Sequence, residues 1–348
     1  MNQHQHPLWQ LTLMRWRIFV REPSALFWTY GFPVVLALAL GIAFRNRPPE
    51  PVQVAVEATS ENQSWRDVLA TNSEVRVRWL KPEEAREALR AGKVSVVVAR
   101  QNAGSARIYL FDATRPESRA ARAVVDEALQ RAEGRVDPTP VRDELVTEPG
   151  SRYIDFLIPG LLGFNLMSSG LWGVGFVIVD MRVRKLIKRM MATPMSRSHF
   201  LLSFVLVRGA FLLGELPVLL CFAYWVFHVP IRGSLPLIVG LSAFGSLMFA
   251  GIGLLLGSRA QNTHTMAGLV NLVTLPMMVA SGVFFSAGRF PDALQPIIRL
   301  LPLTALIDAI REVMLDGAGV AAITPQIGIM AAWGFVSFVL ALRIFRWH

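Results

Sequence analysis

The sequence predicts an α-helical, multi-span membrane protein: six transmembrane helices, with a small α/β domain inserted on the outer side between the first two. Three observations predict it. The 348 residues are 53% hydrophobic and only 17% charged, with a mean hydropathy of +0.43, a composition unlike that of a single soluble core. Uncharged or nearly uncharged runs of about the 20 residues that a ~30 Å hydrocarbon layer requires occur at 26–44, 156–179, 200–227, 233–258, 264–286 and about 323–342. The charge is also unevenly laid out. Residues 45–150 hold 17 basic and 17 acidic side chains, so the whole net charge of +10 lies in the flanks, 18 basic against 8 acidic.

Residues 1–25 predict a cytoplasmic interfacial helix. Trp9 and Trp16 stand seven apart with Leu13 between them, Arg15, Arg17 and Arg21 project elsewhere, and Pro23 ends the helix. His4 and His6 alone do not make a metal site. The first span, 26–44, is longer than the ~7–15 residues of a signal-peptide core. Ala37-Leu38-Ala39 resembles a cleavage site but lies inside the run, which predicts an uncleaved anchor. Residues 45–150 predict the extracytoplasmic domain. Val52, Val54 and Val56 alternate, as do Val75, Val77 and Trp79, and Val94 to Val98 and Ile108 to Phe111 add strands. Pro82 opens a helix with Glu83 and Glu84 in its first turn and Gly92 after it, and Pro116 opens a second. Asp137-Pro138-Thr139-Pro140 reads as the linker back to the membrane.

Residues 151–348 then carry five further helices. Arg15, Arg17 and Arg21, the cluster after the second span, Arg259, and Arg343 with Arg346 all fall on one side of a six-span layout, which puts both termini in the cytoplasm. Because these cations adjoin apolar spans, nucleic acid is not an expected partner. Between the second and third spans, Val183, Leu186, Ile187, Met190 and Met191 fall at helical spacing, with Arg182, Arg184, Lys185, Lys188 and Arg189 opposite. A helix built this way lies flat at the cytoplasmic lipid boundary and offers its cations to headgroups or to a protein partner.

Catalytic motifs are missing. No phosphate-binding G-x-x-x-x-G-K-[ST] loop occurs: Gly92-Lys93 has Glu87 in the place of the first glycine and Val94 after the lysine. H-E-x-x-H, G-x-S-x-G and metal-spaced Cys/His clusters are absent too, which argues against a protease, an esterase or a metalloenzyme. Cys221 reads as a small buried hydrophobe, and His199 and His264 as interfacial polar residues. Within the spans, Arg208 and Glu215 share one helix face, and each charge costs about 2.5–3.5 kcal/mol at mid-bilayer. Two readings stay open for them: a polar interface in a path or between protomers, or snorkelling of Arg208 with Glu215 neutral or paired to another helix. Asn165, Ser168 and Ser169 in the second span and Asn271 and Thr274 in the fifth permit close helix packing or line a path for an amphipathic substrate, and Pro159 and Pro276 can break their helices.

Taken together, these pieces resemble the membrane subunit of ABC-2-type ABC exporters, in the subgroup with an extracytoplasmic domain between the first two spans. Tyr153-Ile154-Asp155-Phe156-Leu157-Ile158-Pro159-Gly160 resembles the family's entry into the second span, and Lys188-Arg189-Met190-Met191-Ala192-Thr193-Pro194-Met195 its cytoplasmic "R-L-x-A-T-P" loop. Ser281 to Phe285, Phe290-Pro291, Leu301 to Thr304 and Ile307 to Arg311 resemble the stretch before its last span. The chain departs from the family's "E-R-E-x-G-T" run, keeping Asp180 at the start but no glycine before Lys185. The resemblance implies a permease subunit exporting an amphipathic, drug-like or lipid-like solute. It implies a coupling helix at 181–195 with Lys185, Lys188, Arg189, Thr193, Pro194 and Met195 against a separate ABC ATPase, and short outer re-entrant helices at about 287–315. A second permease copy or a paralogue and membrane lipid are the other expected partners. This chain would bind no metal or cofactor, ATP and Mg being used by the ATPase. The outer domain could contact a periplasmic adaptor, gate the exit or stabilise the dimer. Two rival readings are a receptor or structural anchor using the outer domain, and a lipid-modifying enzyme built on Asp292, Asp308, Glu312 and Asp316 with Arg299 and Arg311.

Overall fold

The computed structural model describes residues 7–43, 51–59, 62–100, 106–136, 139, 150, 152–191 and 197–344. The chain divides into two compact units, Met1–Arg45 with Val146–His348, and Asn46–Leu145. In the first, helix α1 (Pro7–Val20) starts on a proline, whose missing N–H would have no partner at a helix start. Trp16 stacks on Phe211 with ring centroids 5.6 Å apart, and Phe19 reaches the same ring at 4.0 Å. Trp9, Arg17 and Arg21 stay exposed. A short helix α2 (Pro23–Leu26) continues through a π-helical turn, Phe27–Gly31, into α3 (Phe32–Ala43).

The second unit is a four-stranded sheet between helices. Its order is β2-β1-β3-β4, formed by β1 (Val52–Glu57), β2 (Val75–Leu80), β3 (Val96–Arg100) and β4 (Arg107–Phe111). β1 pairs parallel with β2 and β3, and β3 antiparallel with β4. Side chains alternate between the faces, so Val54, Val56, Val75, Val96 and Val98 meet Trp65 and Leu69 of α4 (Gln63–Thr71) and Ala121, Val125 and Leu129 of α6 (Pro116–Ala132). Ala55 and Val97 on the other face meet Ala85 and Ala88 of α5 (Pro82–Arg90). The sequence reading left out α4, although Trp65, Val68 and Leu69 carry its i, i+3, i+4 signal. The Tyr109 hydroxyl donates to Asp126 Oδ1 at 2.9 Å; burial, followed by that hydrogen bond, pushes the phenol up to about 12.

Returning to the first unit, α7 (Tyr153–Gly170), a π-helical turn at Leu171–Phe176 and α8 (Val177–Val183) form one 31-residue apolar helix, followed by α9 (Leu186–Met191). Then come α10 (Arg197–Phe227), α11 (Leu235–Arg259) and α12 (Thr263–Ala280), a turn of 3-10 helix at Ala287–Arg289, and α13 (Gln295–Arg299), α14 (Pro302–Asp316) and α15 (Thr324–Ile344). Among the described residues, five helices are long and apolar enough to cross a membrane, at Tyr153–Val183, Leu206–Phe227, Leu235–Arg259, Thr263–Ala280 and Thr324–Ile344. The apolar helix at Phe27–Ala43 falls short of that length.

Several expectations need correction. The fifth run does not stay helical to residue 286: α12 ends at Ala280 because Gly282 takes a left-handed φ of +77°, and Arg311 binds the Gly282 carbonyl at 3.1 Å. Pro159 and Pro276 do not break their helices, which run through both prolines. At the former, Arg311 donates to the nearby Phe156 carbonyl at 3.3 Å. Cys221 is exposed, on the stripe of α10 that also exposes Val218, Tyr224 and Trp225. The linker at Asp137, Pro138 and Pro140 lies outside the described residues, as do His4, His6 and Arg346.

α7 and α11 meet backbone to backbone. A methyl group at Gly253 would lie 2.8 Å from the Gly170 carbonyl oxygen, and one at Gly257 2.9 Å from that of Gly175. Only glycine allows two spanning helices to approach this closely. The core around them joins Leu157, Leu161 and Leu162 of α7 with Phe249 of α11 and Leu306, Ile307 and Ile310 of α14.

Candidate functional site

The two charges inside α10 hold each other. Arg208 donates from its two terminal nitrogens to Glu215 Oε1 at 2.7 Å and Oε2 at 2.9 Å, and from Nε to the Ser246 hydroxyl of α11 at 2.5 Å. Arg208 is 4% and Glu215 2% exposed, so the guanidinium does not snorkel, and Glu215 pairs within its own helix rather than with another. Seven residues of helix span about 10.5 Å of rise, a gap the arginine stem bridges along one face. The space beside the pair is held open by a glycine. A methyl at Gly214 would lie 2.9 Å from the Tyr30 oxygen, and the Tyr30 hydroxyl donates to the Phe211 carbonyl at 3.5 Å.

Asn165, Ser168 and Ser169 come together in one groove of about 560 Å³ between the first apolar helix and α7. Trp28, Phe32, Phe164 and Trp172 supply aromatic walls, and among the described residues no charged side chain lines it. Both π-helical turns border the groove: Trp28 and Thr29 belong to the first and Trp172 to the second. A π turn widens the backbone ring and leaves carbonyls outside the regular ladder. Asn165 Nδ2 donates to Thr29 O, in the first of these turns, at 3.4 Å, while Ser169 donates back to Asn165 O at 2.7 Å. Asn271 and Thr274 are not part of this lining: on α12 the first is exposed and the second buried, its hydroxyl without a partner.

The basic stretch is two helices, not one. α8 stops at Val183, and Lys185 takes a left-handed φ of 59° before α9 begins. The Lys185 amide donates to Arg182 O at 2.9 Å and the Arg184 amide to Asp180 O at 3.0 Å, closing the helix as glycine usually does. Arg184 also pairs with Asp180 at 3.0 Å. Arg182 leaves the basic face altogether. Its guanidinium donates to the carbonyls of Gly257 at 2.9 Å, Ala260 at 2.8 Å and Ser258 at 3.2 Å, capping the C-terminal end of α11. Ile187, 4% exposed, packs with Met181, Ile178, Phe204 and Leu254, so the apolar side of α9 faces the bundle, while Lys185 and Arg189 are exposed. Thr193, Pro194 and Met195, and the side chains of Lys188 and His199, lie outside the described residues.

At the other end of α7, Asp155 is fully buried and accepts from Gly150 N at 2.8 Å and from Arg152 Nε at 3.0 Å, anchoring the helix start. Two of the four acids of the lipid-enzyme reading have ordinary partners: Asp308 pairs with Arg311 at 3.3 Å, and Glu312 accepts from Gln326 at 2.9 Å. Sequence reasoning missed Arg182 as a cap, Ser246 as the third partner of the ion pair, and both π turns. Among these, only Arg182 had been singled out, as one basic residue among five.

Five apolar helices of spanning length among the described residues define a class: a multi-pass membrane protein. The model of the ABC-2 family transporter protein matches residues 23–343, and the chain belongs to that family of ABC transporter permeases. The chain is 33% identical over 124 residues to the inner membrane transport permease YhhJ of Escherichia coli, an alignment covering 35% of this chain and 32% of that protein. It is 27% identical over 198 residues to ABC transporter G family member 20 of Dictyostelium discoideum, covering 56% of this chain and 27% of that one. With the linearmycin resistance permease protein LnrN of Bacillus subtilis it shares 24% over 188 residues, 53% of this chain and 48% of the relative. The chain thus spans between about a quarter and a half of the length of these relatives.

Proposed function

We propose that the chain forms the translocation path of an ATP-driven exporter and is driven by a separate ABC ATPase through the segment from Arg184 to Met195. The observation that carries this reading is the mounting of α9: Ile187 is seated in the bundle while Lys185 and Arg189 point away from it, exposed. A docking element needs a free charged face for its partner and a rigid seat on what it moves, and coupling needs contacts that differ between two states of the partner. In this reading six helices cross the cytoplasmic membrane, the apolar helix at Phe27–Ala43 being the first. Both termini face the cytoplasm, the Asn46–Leu145 unit lies outside, and two permease copies face each other. The groove at Asn165, Ser168 and Ser169 takes an uncharged, amphipathic solute, since aromatic walls with a few polar groups suit such a ligand and offer no counter-charge to an ion.

The test is charge reversal. With Lys185, Lys188 and Arg189 all changed to Glu, the permease reconstituted with its co-purifying ATPase should lose at least about tenfold of its transport-stimulated ATP hydrolysis. Unchanged stimulation in that complex contradicts the docking role. Orientation is tested separately: with Cys221 replaced, a cysteine at Ser196 labelled from outside intact cells overturns the proposed topology.

A further inference from the structure

We propose that Arg182 is a positioning residue that makes the coupling segment and helix α11 move as one body. The proposal rests on the reading of α9 as the ATPase contact and adds the route by which its displacement enters the membrane. Among the described residues, the α8–α9 segment is tied to the bundle in two ways. One is the apolar seat of Ile187 in the cluster with Met181, Phe204 and Leu254; the other is directional, the Arg182 guanidinium spread across the carbonyls of Gly257, Ser258 and Ala260.

These carbonyls are the last acceptors of α11, left open by the end of its own ladder and carrying the negative end of its dipole. A planar cation with forked donors matches three converging oxygens, and charge-assisted bonds of this kind are both stronger and more directional than neutral ones. Lysine, a single ammonium on a flexible stem, cannot hold all three in a fixed orientation. Above the clamp, the glycine contacts at Gly170, Gly175, Gly253 and Gly257 already bring α11 against the α7–α8 helix. Arg182 carries that union past the last glycine contact, to the final turn before α9. The chain on its other side turns at Lys185, so the clamp sits at the pivot between the exposed cations and the spanning helices.

The test uses the full chain in lipid nanodiscs, with Cys221→Ala and spin labels at Val183, exposed at the end of α8, and Gln261 just beyond α11. Three forms are compared, with Arg182, with Arg182→Lys and with Arg182→Gln, first as permease alone. The expected result is one narrow distance distribution with arginine, an intermediate one with lysine and a broad one with glutamine. An equally narrow distribution in Arg182→Gln overturns the clamp whatever the partner is. The same samples with the co-purified ATPase, without nucleotide and with Mg-ATP, test the transmission. The label distance should stay constant between the two states with arginine and change with glutamine, while Arg182→Gln keeps basal ATP hydrolysis within about twofold and loses about tenfold in transport. A fall in hydrolysis and transport by equal factors overturns the positioning role. If charge reversal on α9 leaves stimulation unchanged while the permease-alone distributions still separate, the docking reading fails and the clamp stands.

Discussion

Removing one half of the Arg208–Glu215 pair should unfold the bundle far more readily than removing both. In Glu215→Leu, the guanidinium keeps its 2.5 Å contact to Ser246 but loses both carboxylate bonds, at a site where Arg208 is 4% exposed. A buried charge stripped of its partner costs about 3–5 kcal/mol. At about 1.4 kcal/mol per decade, that is a drop of roughly a hundred- to several-thousand-fold in the folded-to-unfolded ratio. Arg208→Met alone leaves the carboxylate stranded, with a penalty of the same order. The double change Arg208→Met with Glu215→Leu removes both charges and fills the space with apolar volume, which for buried pairs is neutral or stabilising by about 1–4 kcal/mol. The assay is unfolding of the detergent-solubilised protein by a denaturing detergent, followed by fluorescence of its nine tryptophans. A double variant that loses as much stability as the two single variants added together refutes this accounting, because the charges would then not be partners. Transport by the same double variant separates the two roles left open by the sequence: a scaffold pair leaves transport intact, and a pair lining the path does not.

Gly253→Ala should destabilise the protein by about 1–3 kcal/mol through overpacking, since the new methyl would stand 2.8 Å from the Gly170 carbonyl oxygen; a lowered unfolding midpoint checks it, and an unchanged one means the two helices separate without cost. Ser168→Trp should fill the groove of about 560 Å³, and transport should then fall by about tenfold with basal ATP hydrolysis retained; full transport would remove the groove from the path. Tyr109 should ionise near pH 12, seen as the share of the tyrosinate absorbance of the four tyrosines that Tyr109→Phe removes. With the folded phenol raised above its ordinary 10, the stability it contributes is complete below pH 10 and is lost as the pH climbs towards 12; a Tyr109 share appearing near pH 10 would mean that neither its burial nor the Asp126 bond is kept.

Much of the fold could be read from residue order because burial writes itself into periodicity. The strands of the sheet unit alternate, and five of the six apolar runs coincide with helices of spanning length. The site was only partly legible. Asn165, Ser168 and Ser169 announce one face at helical spacing, yet what they face is set by a first helix 136 residues away in the Asn165–Thr29 contact. The partners of Arg182 are backbone carbonyls, which every residue possesses and no side chain signals. Nor could the pairing of Arg208 with Glu215 be told from snorkelling, because both need the same seven-residue spacing; Ser246 on the neighbouring helix decides between them. The break at Lys185 is the clearest conflict between local and distant forces. The pattern from Val183 to Met191 suits one unbroken helix, and the seats of Arg182 and Ile187 impose a turn on it.

That turn stores energy. A lysine held at φ 59° occupies a region that costs an ordinary residue about 1–2 kcal/mol relative to the right-handed helix. The bend therefore persists only while its tertiary anchors hold, like a loaded spring kept shut by a catch. Straightening the stretch relieves that cost at Lys185 but gives up the Ile187 seat and the three carbonyl bonds of Arg182, so the strain biases the segment towards a rod without being enough to move it alone.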